Sequence, residues 1–130
     1  MQLIFLFKTR NAHNNNSSIW FLLQIIADMA PNFCGDLDMD HLLIMDLNKM
    51  TIDVCTKNLK IGGTVVMKTL SGTMEKDAYR MFKVYFKEFL RVKPRASRSR
   101  SSELYYLGKG YGLSKEYEML KKIEEKKEVK

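Results

Sequence analysis

The sequence predicts an α/β chain built on a partly parallel sheet, and three observations lead there. Short apolar runs alternate with longer stretches of helical periodicity, in the order strand, helix, strand, helix, strand, strand. Two of the runs, "FLLQIIA" and "TVVM", are almost continuously apolar, as parallel strands covered on both faces are. Each of these two runs then stops on a charge, Asp28 and Lys68. In open α/β sheets ligands gather beyond the carboxyl ends of the parallel strands, so the two charges are expected at one edge.

Residues 1–18 differ from the rest: "MQLIFLF" gives way to "TRNAHNNNSS", a polar run unable to build a core. They read as a divergent, mobile leader, although "MQLIFLF" could also cover the edge of the first strand as a substitute strand. The apolar start is too short to span a bilayer, and no positive n-region precedes it. Lys8 and Arg10 stand in a segment with no acid before Asp28, which matches an organellar transit peptide in charge.

The ordered domain is expected over residues 19–112. Its first strand lies in "IWFLLQIIADMAP", stopped by Pro31. "DLDMDHLLIMDLNKMTIDVCTKNL" reads as a helix with acids in its first turn and a buried stripe of Leu43, Leu47, Met50 and Val54. Gly62 and Gly63 break the chain before the strand that ends at Lys68. A second helix is expected through "MEKDAYRMFKVYFKEF", burying Ala78, Met81, Phe82 and Tyr85. "FLRVK" and "ELYYLGK" read as two short strands joined by the basic loop "PRASRSRSS". Residues 113–130, rich in lysine and glutamate, are expected to be a solvated helix or unstructured.

If "FLRVK" runs parallel to the earlier strands and "ELYYLGK" returns antiparallel, the loop between them lies at the ligand edge. Glu103 then begins the returning strand beside Asp28 and Lys68. Each charge alone has a plainer reading, as a turn aspartate, a solvated strand end and a solvated strand start. Together they explain one another, because carboxylates can partner an otherwise isolated ammonium. The loop carries Arg95, Arg98 and Arg100 among serines, a composition suited to phosphate oxygens but also to a solvated loop or a phosphorylation target. Tyr105, Tyr106 and Tyr111 could stack on bases or simply pack.

A net charge of +7 and a pI near 9.4 favour an acidic partner, nucleic acid before an anionic membrane surface. The two cysteines, Cys34 and Cys55, suggest neither a disulfide framework nor a zinc site. His13 and His41 lack ligand spacing, Asp36, Asp38 and Asp40 read as a helix cap and first turn, and no metal site is expected. "GKGYG" opens no clear helix and fails as a dinucleotide fingerprint.

"DMAPNFCGD", "DHLLIMDL", "LKIGGTVVMKTLSG" and "RVKPRASRSRSSELYYLGKGY", in that order from about Ile25 to Tyr111, resemble the FtsJ family of ribosomal RNA 2′-O-ribose methyltransferases. "DMAPN" looks most like the bacterial and mitochondrial large-subunit branch. The resemblance implies a Rossmann-like fold that binds S-adenosylmethionine and acts on large-subunit rRNA. It places family catalytic residues on Asp28, Lys68 and Glu103, marks Lys68 as the proton acceptor, and gives Asp28 a contact to the cofactor. With it goes an expected mitochondrial location, with nucleolar or cytoplasmic as alternatives, while RNA binding by Arg95, Arg98 and Arg100 is expected from the composition of their loop. The family's first catalytic lysine and glycine-rich cofactor loop lie upstream of "DMAP". This sequence has no glycine before Gly35, so it resembles the C-terminal half of the enzyme, with a catalytically inactive RNA-binding remnant as the alternative.

Overall fold

The computed structural model of the chain describes residues 2–10, 20–28, 34–94 and 103–128. The elements run β1 (Gln2–Arg10), β2 (Trp20–Asp28), α1 (Leu37–Asn58), β3 (Leu59–Leu70), α2 (Glu75–Lys83), β4 (Phe86–Val92), β5 (Glu103–Tyr111) and α3 (Lys115–Glu128). The strands form one mixed sheet in the order β1-β2-β3-β5-β4. β2 and β3 pair in parallel, and β5 runs antiparallel to both β3 and β4. β2, β3 and β4 therefore share a direction, and their carboxyl ends meet the start of β5 at one edge.

β1 pairs antiparallel with β2 from Gln2↔Asp28 to Arg10↔Trp20. Residues 2–10 thus take the substitute-strand role rather than that of a mobile leader; residues 1 and 11–19 lie outside the described residues. The Gly62-Gly63 break falls inside β3 and not before it. Pairing jumps from Leu22↔Leu59 to Gln24↔Thr64, and Gly62 takes the turn at φ +88, where a side chain would be strained.

α1 starts as its acids predict: the Asp36 carboxylate accepts from the backbone N–H groups of Asp38 and Met39 at 3.1 and 3.3 Å. Its buried face is not the expected stripe. Ile44, Met45, Ile52 and Cys55 face the core with His41, Asn48 and Thr51, while Met50 is exposed and Leu43, Leu47 and Val54 lie on the flank. An apolar pattern misses this face because three of its members are polar. Asn48 donates to Thr69 on β3 at 3.0 Å and Thr51 to the Leu47 carbonyl at 3.0 Å, which lets two of them be buried without orphaned groups.

α2 buries Ala78 and Phe82 as expected but stops at Lys83, and β4 begins already at Phe86. Tertiary bonds capture its end: the Gly112 N–H donates to the Tyr85 carbonyl at 2.8 Å, and the Ser114 hydroxyl to that of Val84. Met81 is exposed and Tyr85 half-buried beyond the helix. Phe86 and Phe89 then enter the core from the strand, Phe89 with its ring centroid 5.1 Å from that of Tyr106. α3 buries no residue, so the tail is a solvated helix over residues 115–128.

Among the described residues only one sheet face carries a helical layer. Ile25, Ala27, Val65, Met67 and Tyr106 are buried there against α1 and α2. On the opposite face Gln24, Ile26, Thr64, Val66, Lys68, Leu70, Tyr105 and Leu107 are half-buried. The expectation that β2 and β3 are covered on both faces is corrected accordingly.

Candidate active site

Strand alternation places the charges. Side chains point to opposite faces at successive positions, so with Met67 and Thr69 in the core, Lys68 projects from the open face. Ala27 pairs with Met67 and is buried, which turns Asp28 to the open face beside Lys68. On the other side Lys68 pairs with Tyr105 and Leu70 with Glu103, so Tyr105 and Glu103 project there too. Lys68 Nζ lies 2.6 Å from Asp28 Oδ1 and 3.7 Å from Glu103 Oε1. The Tyr105 hydroxyl donates to Glu103 Oε1 at 3.2 Å.

The electrostatics follow from this contact set. The hydrogen bond to Asp28, aided by the charges of Asp28 and Glu103, holds the Lys68 ammonium above the usual lysine range although burial opposes it. Lys68 is therefore charged at neutral pH. Burial pushes the Tyr105 phenol up, against the pull of Lys68, and the bond to Glu103 adds to that rise. Tyr105 is the neighbour that sequence reasoning offered only as a stacking or packing residue; its place opposite Lys68 depends on the strand register. Tyr106 and Tyr111 are buried, at 0% and 2% exposed, so their rings are packing residues and not faces for bases.

Arg95, Arg98 and Arg100 lie outside the described residues. Asp36 caps α1, and buried Asp40 accepts from the backbone N–H groups of Cys34 and Gly35 at 2.8 and 3.2 Å. Among the described residues no cluster of histidine, cysteine and acids could hold a metal ion. The described helices include none long and apolar enough to cross a membrane.

A cofactor at the carboxyl edge of a doubly wound sheet rests on a glycine-rich strand-to-helix turn. Among the described residues Gly35 follows β2, but a Cβ there would meet nothing within 4 Å, so no cradle closes around it. Gly72 packs instead on the His41 ring, and Gly110 and Gly112 serve the turn from β5 to α3. Asp28 faces the edge but is already engaged by Lys68. These residues by themselves do not fit S-adenosylmethionine.

The comparisons with known proteins agree with the motif content. A family profile described as FtsJ-like methyltransferase matches residues 9–111. The chain is 37% identical over 100 residues to "Ribosomal RNA large subunit methyltransferase E" of Ehrlichia chaffeensis, covering 77% of this chain and 46% of that protein. It is 37% identical over 93 residues to the protein of the same name from Ehrlichia ruminantium, covering 72% of each. The chain thus spans about half the length of the first relative. A crystal structure of a ribosomal RNA methyltransferase, putative, from Plasmodium falciparum superposes with a TM-score of 0.62 at 23% identity, covering 70% of this chain and 47% of that one. That likeness establishes the fold.

Proposed function

The chain belongs to the FtsJ-like methyltransferase family, and on that premise we propose that it acts in 2′-O-methylation of ribose in large-subunit ribosomal RNA, with S-adenosylmethionine as methyl donor. The observation that carries this reading is the charged set on the open sheet face, Lys68 between Asp28 and Glu103. The described residues do not by themselves hold that donor, so the proposal gives them no part in its chemistry. This chain's own residues act on the acceptor.

An ammonium has three N–H donors. Asp28 takes one at 2.6 Å, Glu103 stands at 3.7 Å as a charge partner, and a donor is left for the ribose 2′-oxygen. Held charged by Asp28, Lys68 orients that oxygen and stabilises the negative charge developing on it. The raised Lys68 value argues for this role over that of proton acceptor in the state described, so the hydroxyl proton leaves to solvent. Arg95, Arg98 and Arg100 hold RNA phosphates in the same proposal. A mitochondrial location belongs to the same proposal, supported by the likeness of "DMAPN" to the bacterial and mitochondrial large-subunit branch.

A second reading, an inactive RNA-binding remnant, is favoured by the misfit between the described residues and S-adenosylmethionine. One experiment separates the two. Large-subunit rRNA is incubated with the chain and methyl-labelled S-adenosylmethionine, and label is sought in alkali-resistant dinucleotides. Label there supports the enzyme. Salt-sensitive RNA binding without label supports the remnant, and the absence of both removes RNA from the function.

A further inference from the structure

The side of α2 away from the core carries a feature the candidate site does not use. Ala78 and Phe82 point inward. At 100° per residue, Lys76, Arg80 and Lys83 then fall in one stripe on the far side of the helix, at i, i+4 and i+7. All three are exposed, and no acid among the described residues pairs with them. Of the acids of α2, Asp77 points to the side of the stripe, and Glu75, which also lines the groove described next, is held by Arg91 of β4. Between the stripe and edge strand β4 runs a groove of about 670 Å³, lined by Tyr79, Phe89 and Leu90 as well as the cations.

We propose that this groove between α2 and β4 is a track for the phosphodiester backbone of RNA, gripped by Lys76, Arg80 and Lys83. The inference rests on reading the chain as a protein that acts on RNA. Charge complementarity selects the occupant. Three unpaired cations spread over about 10 Å of helix suit a chain of regularly spaced anions, in a protein whose net charge is +7. Position supports it as well. Gly72 and Thr73 line one end of the groove, and they follow β3 at the edge where Lys68 sits. Lys68 projects from the open face and α2 covers the other, so an RNA chain that reaches both passes around this edge.

The wall is fixed before any RNA arrives. The Tyr79 hydroxyl donates to the Phe89 carbonyl at 2.8 Å, Glu75 pairs with Arg91, and the Tyr79 and Phe89 rings lie 5.4 Å apart. A pre-set wall lowers the ordering cost of binding. The aromatic floor offers no hydrogen-bond readout of bases, so the track is expected to be indifferent to sequence.

The test measures affinity of the whole chain for a labelled RNA hairpin with a single-stranded flank, across a salt series. A Lys76→Ala, Arg80→Ala, Lys83→Ala variant should bind at least about tenfold more weakly and lose about 2–3 from the slope of log affinity against log salt. A matched variant, Lys122→Ala, Lys126→Ala, Lys127→Ala on α3, removes the same charge elsewhere and should change affinity less than about threefold. Thermal melting by circular dichroism checks that both variants fold. Equal losses in the two variants overturn the track and leave only net charge. Unchanged RNA affinity with lost binding to phosphatidylserine vesicles overturns it in favour of a lipid surface. Absence of methyl transfer would defeat the proposed enzyme and leave this inference standing.

Discussion

Replacing Lys68 with methionine removes the ammonium from between two carboxylates while keeping most of the side chain's apolar volume. The structure sets the expected cost. The Lys68 side chain is 19% exposed, but Asp28 and Glu103 are 45% and 40% exposed. Water therefore screens both pairs, and each contributes about 0.5–1 kcal/mol and not the several of a buried bridge. Lys68→Met should lower the unfolding free energy by about 1–2 kcal/mol at low ionic strength. The cost should shrink in about 1 M salt, where the Debye length is about 3 Å. In an Asp28→Asn background it should be smaller still, because one partner charge is already gone. Urea unfolding followed by circular dichroism reads all four corners of that cycle. The pH sign follows from the raised Lys68 value: the stabilisation is complete below the unfolded value of about 10.4 and is lost only as pH climbs through the folded one. The difference between wild type and variant should thus be flat from neutral pH to about 10. A cost of about 4 kcal/mol or more would reveal a buried structural bridge and refute the screening argument. Additive single and double variants would refute the pairing itself. With so small a cost to folding, a fall in methyl transfer of about 10²–10³-fold would belong to the chemistry.

Burial pushes Cys55 to about 12 while Cys34 is exposed, so a thiol reagent at neutral pH should modify Cys34 in the folded chain and both cysteines only after urea. Tyr106 is also pushed to about 12 by burial. These two protons are held in the folded chain and released earlier by the unfolded one, so stability should fall by about 1.4 kcal/mol per pH unit for each group above its unfolded value; pH-independent unfolding between about 10 and 12 would contradict this. Gly108→Ala sets a Cβ 2.8 Å from the Phe86 ring, and overpacking should cost about 1–3 kcal/mol in urea unfolding, so a neutral result would show that the ring has room to yield. Reversing two of Arg95, Arg98 and Arg100 to glutamate should weaken binding of all RNAs and flatten its salt dependence, and unaltered affinity would make that loop merely solvated. Calorimetric titration of the chain with S-adenosylmethionine should show binding weaker than about 10 μM, whereas tighter binding would overturn the misfit between the described residues and the cofactor.

How much of this was legible beforehand depended on the range of the interactions involved. The α/β class and the succession of elements after residue 19 came from local periodicity; the order of strands in the sheet did not. The edge that gathers Asp28, Lys68 and Glu103 followed from strand direction, because Asp28 ends β2 and Glu103 begins β5. Lys68 lies two residues before the end of β3, which runs to Leu70 and not only to Lys68 as expected. Interactions between distant segments decided the rest. Asn48, 21 residues from Thr69 in sequence, is buried because Thr69 accepts its hydrogen bond, and that polar contact rotates the buried face of α1 away from its apolar stripe. α2 stops at Lys83 because Gly112 and Ser114 take the carbonyls of Tyr85 and Val84 and because Phe86 and Phe89 find the core from a strand. Residues 2–10 are a strand because β2 offers an unpaired edge. Tyr105 meets Lys68 while Tyr106 is enclosed, although the two are adjacent and alike. Periodicity is written along the chain and could be read there; which polar group is satisfied and which face stays open depends on partners that folding alone brings into contact.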